Sequence, residues 1–407
     1  MIRRSFLKGL GSMGLVPMID CLGLLDQELG LAHGSHAPAI PVPEVANPDR
    51  VPPSAATDDG VVMARLKQEL SLIRDLGRME EFRAIRALFK LAQDERIPCR
   101  VSGAGCSSII AFLLGGSGVL PTRHGLFFER FRDPNRRWAP PFIIRVHKAG
   151  KDRLLEFAKS GYPGLVADGA FSFHPMPSVE TIPWLAADLV RRKRNPEFNL
   201  GQIPLDDRDT FELLRSGDDE YVLPFRCQEL QEHIQSLHPS NIADLAVVQA
   251  LHCMVWDHEY GTDDPYHACL WSDDRASSVP CPGSVDPAIL GATADSRGLL
   301  LFQEQVMMVL NRLGGISVAD GYDFSKAAAK NKLAVVAQYQ TKFLMSAREN
   351  GIAPEAAEAI FDHLRVAASF VFCKAHCIGE TMVVYHAAYL KAHYPAEFNQ
   401  AVRLAMA

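Results

Sequence analysis

The chain has 407 residues, 48% of them hydrophobic and 22% charged, with a net charge of −6. That length can bury the cores of two or three ordinary domains, and the mild acidity excludes a globally basic polyanion binder, leaving only local cationic patches for that role. Nine cysteines scattered without dense spacing point to reduced thiols in a cytosolic setting, and no apolar run of about 18 residues is present to span a membrane.

The first 33 residues place Arg3-Arg4-Ser5-Phe6-Leu7-Lys8 ahead of a weakly apolar stretch from Gly9 to Ile19. This is similar to a twin-arginine export signal, with Ala37-Pro38-Ala39 as a candidate cleavage site. An amphipathic start to the first helix, or true initiation near Met63, accounts for the same residues. Residues 34–62, rich in Pro, Ala and Asp, read as a linker. Beyond them Leu66, Leu70, Ile73, Leu76, Phe82, Ile85, Leu88 and Phe89 recur mostly at spacings of three and four, which predicts amphipathic helices broken near Gly77.

The segment IPCRVSGAGCSS predicts a strand and a glycine-rich turn, followed by a small-residue helix in SSIIAFLLGG. After two prolines, Phe142 to Val146 reads as a strand, whereas residues 147–201 are weakly patterned. The basic run RRKRNPEFN at 191–199 reads as a solvated loop or as a contact for phosphates. From Asp209 onward the pattern is helical, interrupted by a loop-like acidic stretch over 255–297. The fold class expected is α+β, with few strands and no internal repeat.

Four constellations bear on chemistry. Gly103, Gly105 and Ser107 in SGAGCSS stand between a strand and a helix, where backbone N–H groups can meet a phosphate, although a tight structural turn has the same pattern. Lys326, Lys330 and Lys332, with Lys374 and His376, form a cationic series; Lys326 and Lys330 share a helix face and could clamp a polyphosphate or simply be solvated. Cys373, His376 and Cys377, with His252 and Cys253, are residue types used by zinc, but CKAHC lacks a second ligand pair, and buried thiols fit it better. Two-metal nucleotidyl transfer needs converging carboxylates, which alternate positions of one strand can supply; here those positions are Pro141, Ile143 and Arg145.

The order of these motifs resembles the bacterial DNA polymerase III alpha subunit, the C-family replicative polymerase. RLKQELSLIRDLG, IPCRVSGAGCSSIIAFLLG and HGLFFERFRDPNRR are similar to the start of its palm, and IPLDDRDTFELLRSGD with HPSNIADLAVVQAL to its thumb. LLLFQEQVM, KNKLAVVAQYQTKF, FVFCKAH and AAYLKAHYPAEF are similar to successive landmarks of its fingers.

The resemblance implies DNA synthesis with Mg2+, DNA, nucleoside triphosphates and polymerase subunits as partners, and a cytoplasmic location. It also implies a palm-like remnant over 63–200 and a helical thumb and fingers body over 201–407. The family's triphosphate turn maps onto Gly103, Gly105 and Ser107, with Ala104 in place of its arginine, and its basic fingers residues onto Lys326, Lys330, Lys332, Lys374 and His376. Its metal-binding palm aspartates map onto Pro141 and Ile143, and a third acidic position onto Arg145.

No catalytic residue, metal or cofactor is therefore expected here, unless acids such as Asp206 and Asp207 substitute. The expected function is that of an inactive homologue retaining nucleotide or DNA binding. The alternative is a decayed or repurposed scaffold with no nucleic-acid role, exported through the twin-arginine pathway if the signal-like segment works.

Overall fold

The apolar stripes at the start of the helical region build α1 (Asp59–Asp75) and α2 (Met79–Asp94). Leu66, Leu70, Ile73, Phe82, Ile85, Leu88 and Phe89 are all buried, as their spacing predicts. The turn between the helices holds Gly77 at φ +67°, a left-handed conformation that costs a residue with a Cβ roughly 1 kcal/mol. This computed structural model describes residues 24–25, 27–28, 59–131, 141–223, 228–257, 287–296 and 299–407. The export-like motif, the linker up to residue 58 and much of the 255–297 stretch lie outside them. The chain divides into two units, one of residues 1–128, 134–204 and 389–407, the other of 129–133 and 205–388.

In the first unit β1 (Cys99–Ser102) leads through a tight 3-10 turn, Gly103–Ser107, into the short helix α3 (Ile109–Leu113). Then come β2 (Phe142–His147), α4 (Lys148–Gly161), α5 (Pro163–Ala167), β3 (Phe171–Met176) and α6 (Ser178–Lys193). The sheet order is β1-β2-β3, with β1 antiparallel and β3 parallel to β2. A parallel pair needs a crossover, which α4 and α5 supply. Along β2 the pleat sends Phe142, Ile144 and Val146 into the core and leaves Ile143, Arg145 and His147 half-buried on the other face. The Phe142 ring meets Phe82 edge-on at 5.3 Å, and Phe82 lies 6.4 Å from Phe128.

Residues 147–201, weakly patterned in sequence, nevertheless carry regular elements. The buried stripe of α4 is Gly150, Leu154 and Ala158, in which two of three members are too small to register as apolar periodicity. Helix α6 buries Ile182, Ala186, Ala187 and Val190 despite an internal Pro183 and packs along the final helix of the chain. The basic run is partly tied down: Arg191 and Arg192 meet Asp188 of the same helix, and Arg194 meets Glu397 at 2.8 Å.

The second unit is helical: α7 (Arg208–Ser216), α8 (Gln228–Leu237), α9 (Ile242–Asp257), α10 (Pro287–Ala292), α11 (Gln303–Gly314), α12 (Val318–Ala329), α13 (Leu333–Glu349), α14 (Pro354–Ala367) and the first part of α15 (Lys374–His393). The remainder of α15 and α16 (Pro395–Met406) belong to the first unit. Helix α10 falls inside the stretch read as a loop, because six residues are too few for a helical period to show. The core gathers on Phe361, whose ring lies 5.5 Å from both Phe324 and Phe343. The fold class is α+β, mostly helical with three strands among the described residues.

Two stability outcomes follow from this packing. A Cβ at Gly105 would lie 2.4 Å from Val101 Cγ1 and 3.0 Å from the Phe142 ring, while at Gly161 it would meet nothing within 4 Å. Gly105→Ala should therefore lower stability by about 1–3 kcal/mol and Gly161→Ala should be neutral or slightly stabilising, as read by urea midpoints.

His386 on α15 is buried, and burial pushes its imidazole down from 6.5 to about 4. The unfolded chain takes the proton first, so the stability is fully present above pH 6.5 and is lost as pH falls toward 4, at no more than about 1.4 kcal/mol per pH unit. Thermal melts at pH 7 and pH 4.5 should show this decline, and His386→Gln should flatten it.

Candidate nucleotide and nucleic-acid binding residues

Gly103 sits at φ +67°, and Gly103, Gly105 and Ser107 are all buried in the turn after β1. The Ser107 hydroxyl donates to the Ala104 carbonyl at 2.7 Å. Where the sequence offers N–H groups to a phosphate, the fold supplies a carboxylate of its own. Glu69 of α1 accepts from the Ile109 N–H at 2.9 Å, the Ile110 N–H at 3.4 Å and the Ser108 hydroxyl at 3.0 Å. Burial pushes the Glu69 carboxyl up, opposed by Arg65, whose Nε donates to it at 2.8 Å. Arg65 also donates to the Ser107 carbonyl at 3.1 Å, so this ion pair fastens the turn to α1. The signal in the sequence was a glutamate sharing the buried face of Leu66, Leu70 and Ile73.

The candidate positions are an exposed Pro141 just before β2 and, on β2, Ile143 and Arg145, both half-buried. Ile143 packs over the turn, its Cδ1 3.1 Å from where a Gly103 Cβ would stand. Arg145 donates to Glu180 at the start of α6 at 2.8 Å, and Arg100 on β1 donates to the same carboxylate at 2.9 Å. Asp207, a candidate substitute acid, caps α7 by accepting from the Thr210 N–H at 2.8 Å.

The second unit brings together three motifs distant in sequence. Arg130, only 1% exposed, donates through Nη1 to Cys373 Sγ and through Nη2 to Gln303 at 2.8 Å, with Glu304 3.6 Å away. Its guanidinium lies 5.0 Å from the Tyr322 ring centroid. Burial alone would lower its affinity for the proton, but Cys373, Glu304 and Tyr322 together raise it. Glu304 also accepts from the Lys374 N–H at 2.8 Å and so caps α15. A single parallel bridge pairs Phe302 with Phe372, closed by Gln303 N–H to the Phe372 carbonyl at 2.8 Å. Arg130, Gln303 and Glu304 lay in motifs that the sequence singles out, but periodicity gives no sign that they converge.

The candidate cations differ in availability. Lys374 Nζ pairs with Asp295, and His376 Nδ1 lies 3.5 Å from Glu380. Lys326 stands 4.0 Å over the Tyr322 ring and 3.5 Å from Asp323. Lys330 and Lys332 flank Asn331 between α12 and α13 and are exposed. Cys373 is committed to Arg130 and Cys377 is buried on α15, while the side chains of His252 and Cys253 lie outside those described.

Removing the buried cation should matter far more than removing an exposed one. Arg130→Met leaves Glu304 without its ion partner and should cost about 3–5 kcal/mol, whereas Lys330→Met should stay within about 0.5 kcal/mol, both read by chemical denaturation.

Comparison with known proteins gives this arrangement a lineage. The bacterial DNA polymerase III alpha subunit finger domain matches residues 180–351, and the bacterial DNA polymerase III alpha NTPase domain matches residues 49–170. DNA polymerase III subunit alpha of Escherichia coli K12 is 26% identical over 374 residues, which cover 88% of this chain and 29% of that protein. The same subunit of Mycobacterium tuberculosis H37Rv is 30% identical over 213 residues, covering 52% of this chain and 18% of that one. That of Treponema pallidum is 31% identical over 219 residues, covering 53% and 18%. The chain thus spans less than a third of the length of these relatives. Across the two matched regions the chain is similar to part of the bacterial DNA polymerase III alpha subunit.

Proposed function

We propose that the chain is a catalytically inactive polymerase relative that binds nucleoside triphosphate or DNA through cations of its C-terminal half. The observation that carries this reading is the chemistry of β2. The resemblance aligns the family's metal-binding aspartates with Pro141 and Ile143 and a third acid with Arg145. Proline and isoleucine offer no side-chain ligand atom, and Arg145 is a cation already facing Glu180. These residues do not fit magnesium, which needs carboxylate or other oxygen ligands, and we derive no step through it.

On this reading the three-stranded unit is a reduced palm and the helical unit a thumb and fingers body, working in the cytoplasm with DNA and with other polymerase subunits. Lys330 and Lys332 carry most of the binding, because Lys374 is paired with Asp295 and Lys326 lies near Asp323. Such binding is electrostatic and falls steeply with salt.

Fluorescence anisotropy with primed DNA at about 50 mM salt should show weak binding. The Lys330→Ala, Lys332→Ala double variant should weaken it and reduce the slope of log affinity against log salt by roughly two. Absence of binding at that salt would remove the DNA-binding half of the reading. Primer extension with magnesium or manganese should give no product above background, and incorporation would overturn the inactive assignment.

A further inference from the structure

Lys374 is the first residue of α15, and its ammonium meets the Asp295 carboxylate, carried on the 3-10 turn Ala294–Ser296 and 79 residues earlier in the chain. A cation in the first turn of a helix stands against the dipole, so Lys374 is left better off by a nearby anion. Asp295 supplies one from within the second unit.

The acid is held in place from its other side. Its Oδ2 takes Lys374, and its Oδ1 accepts from Gln305 Nε2 at 3.3 Å. Gln305 is fixed in turn: its Oε1 accepts from the Leu301 and Phe302 N–H groups at 2.9 and 3.0 Å, and its Nε2 also donates to Ser296 Oγ at 2.6 Å. The lysine side chain is 12% exposed and that of Asp295 32%, so solvent reaches the pair but screens it less than a fully exposed one. A phosphate drawn to Lys374 thus meets a charge already offset by a carboxylate of the same chain, tethered beside it at high effective concentration.

We propose that Asp295 is an internal competitor for DNA phosphate at Lys374, an autoinhibitory contact that withholds this lysine until the acid is displaced. The inference rests on the DNA-binding reading above and adds a regulatory step to it. The exposed Lys330 and Lys332 bind unaided, whereas Lys374 contributes when a phosphate takes the place of Asp295.

Fluorescence anisotropy of the full chain with primed DNA across a salt series tests it. Asp295→Asn removes the charge and keeps the shape. It should tighten binding severalfold and steepen the slope of log affinity against log salt by roughly one, the mark of one more phosphate contact. Asp295→Ser, also neutral, takes its place if the asparagine variant fails to fold. Lys374→Met alone should leave affinity and slope unchanged, and added to Asp295→Asn it should abolish the gain. Asp362→Asn removes an exposed acid beside Arg365 on α14 and should leave the slope unchanged, which separates the contact from a mere change in net charge.

Unchanged affinity and slope in Asp295→Asn, or weaker binding in Lys374→Met alone, would overturn the proposal and leave the DNA-binding reading in place. If neither wild type nor Asp295→Asn binds DNA, both fall together.

Discussion

A charge taken out of water must be given partners, and the second unit closes on the Arg130 guanidinium for that reason. Its desolvation alone is worth several kcal/mol, so a packing that left it unpaired would be strongly disfavoured. Three segments converge on it: Gln303 and Glu304 at the start of α11, Tyr322 on α12, and Cys373 just before α15. Glu304 then does two jobs at once, since the carboxylate that faces Arg130 also accepts the first N–H of α15. The bridge between Phe302 and Phe372 and the start of α15 are set by the same small group of atoms.

The first unit solves the inverse problem. Two of its buried carboxylates, Glu69 and Glu180, are each met by donors from more than one element. Glu69 receives Arg65 from its own helix together with the N–H groups that open α3, which holds the turn after β1 against α1. Glu180 receives one arginine from each of two neighbouring strands and so pins α6 to the sheet. The two carboxylates differ in their donors. Glu69 accepts from backbone N–H groups as well as side chains, whereas Glu180 is met by two arginine side chains.

Much of this was legible in the sequence, and the parts that were not have a common cause. The pair α1 and α2, the strand at Phe142–His147 and most helices after residue 207, though not α10, follow from spacing, because burial of large side chains leaves a period. Helix α4 left none, since its buried face is mostly glycine and alanine. The sequence places a glycine turn before a helix at 103–113 but does not show that Glu69 fills it, because that contact joins residues 40 apart. Likewise the cationic series at 326–332 and 374 is visible as a pattern, while the difference between an engaged Lys374 and an exposed Lys330 depends on Asp295, a residue no periodicity links to it.

The closure on Arg130 has a consequence for how the molecule is made. Its contact with Cys373 joins residues 243 apart, and the Arg194–Glu397 pair in the other unit joins residues 203 apart. A ribosome delivers the chain in order, at about 5–20 residues per second, so Arg130 waits roughly ten to fifty seconds for its partners. Neither unit can complete during synthesis of its own early segments, and the face of α6 on which α16 packs stays uncovered until α16 has been made. Apolar surface left open for that time is prone to aggregation, an exposure that a unit built from contacts near in sequence would shorten.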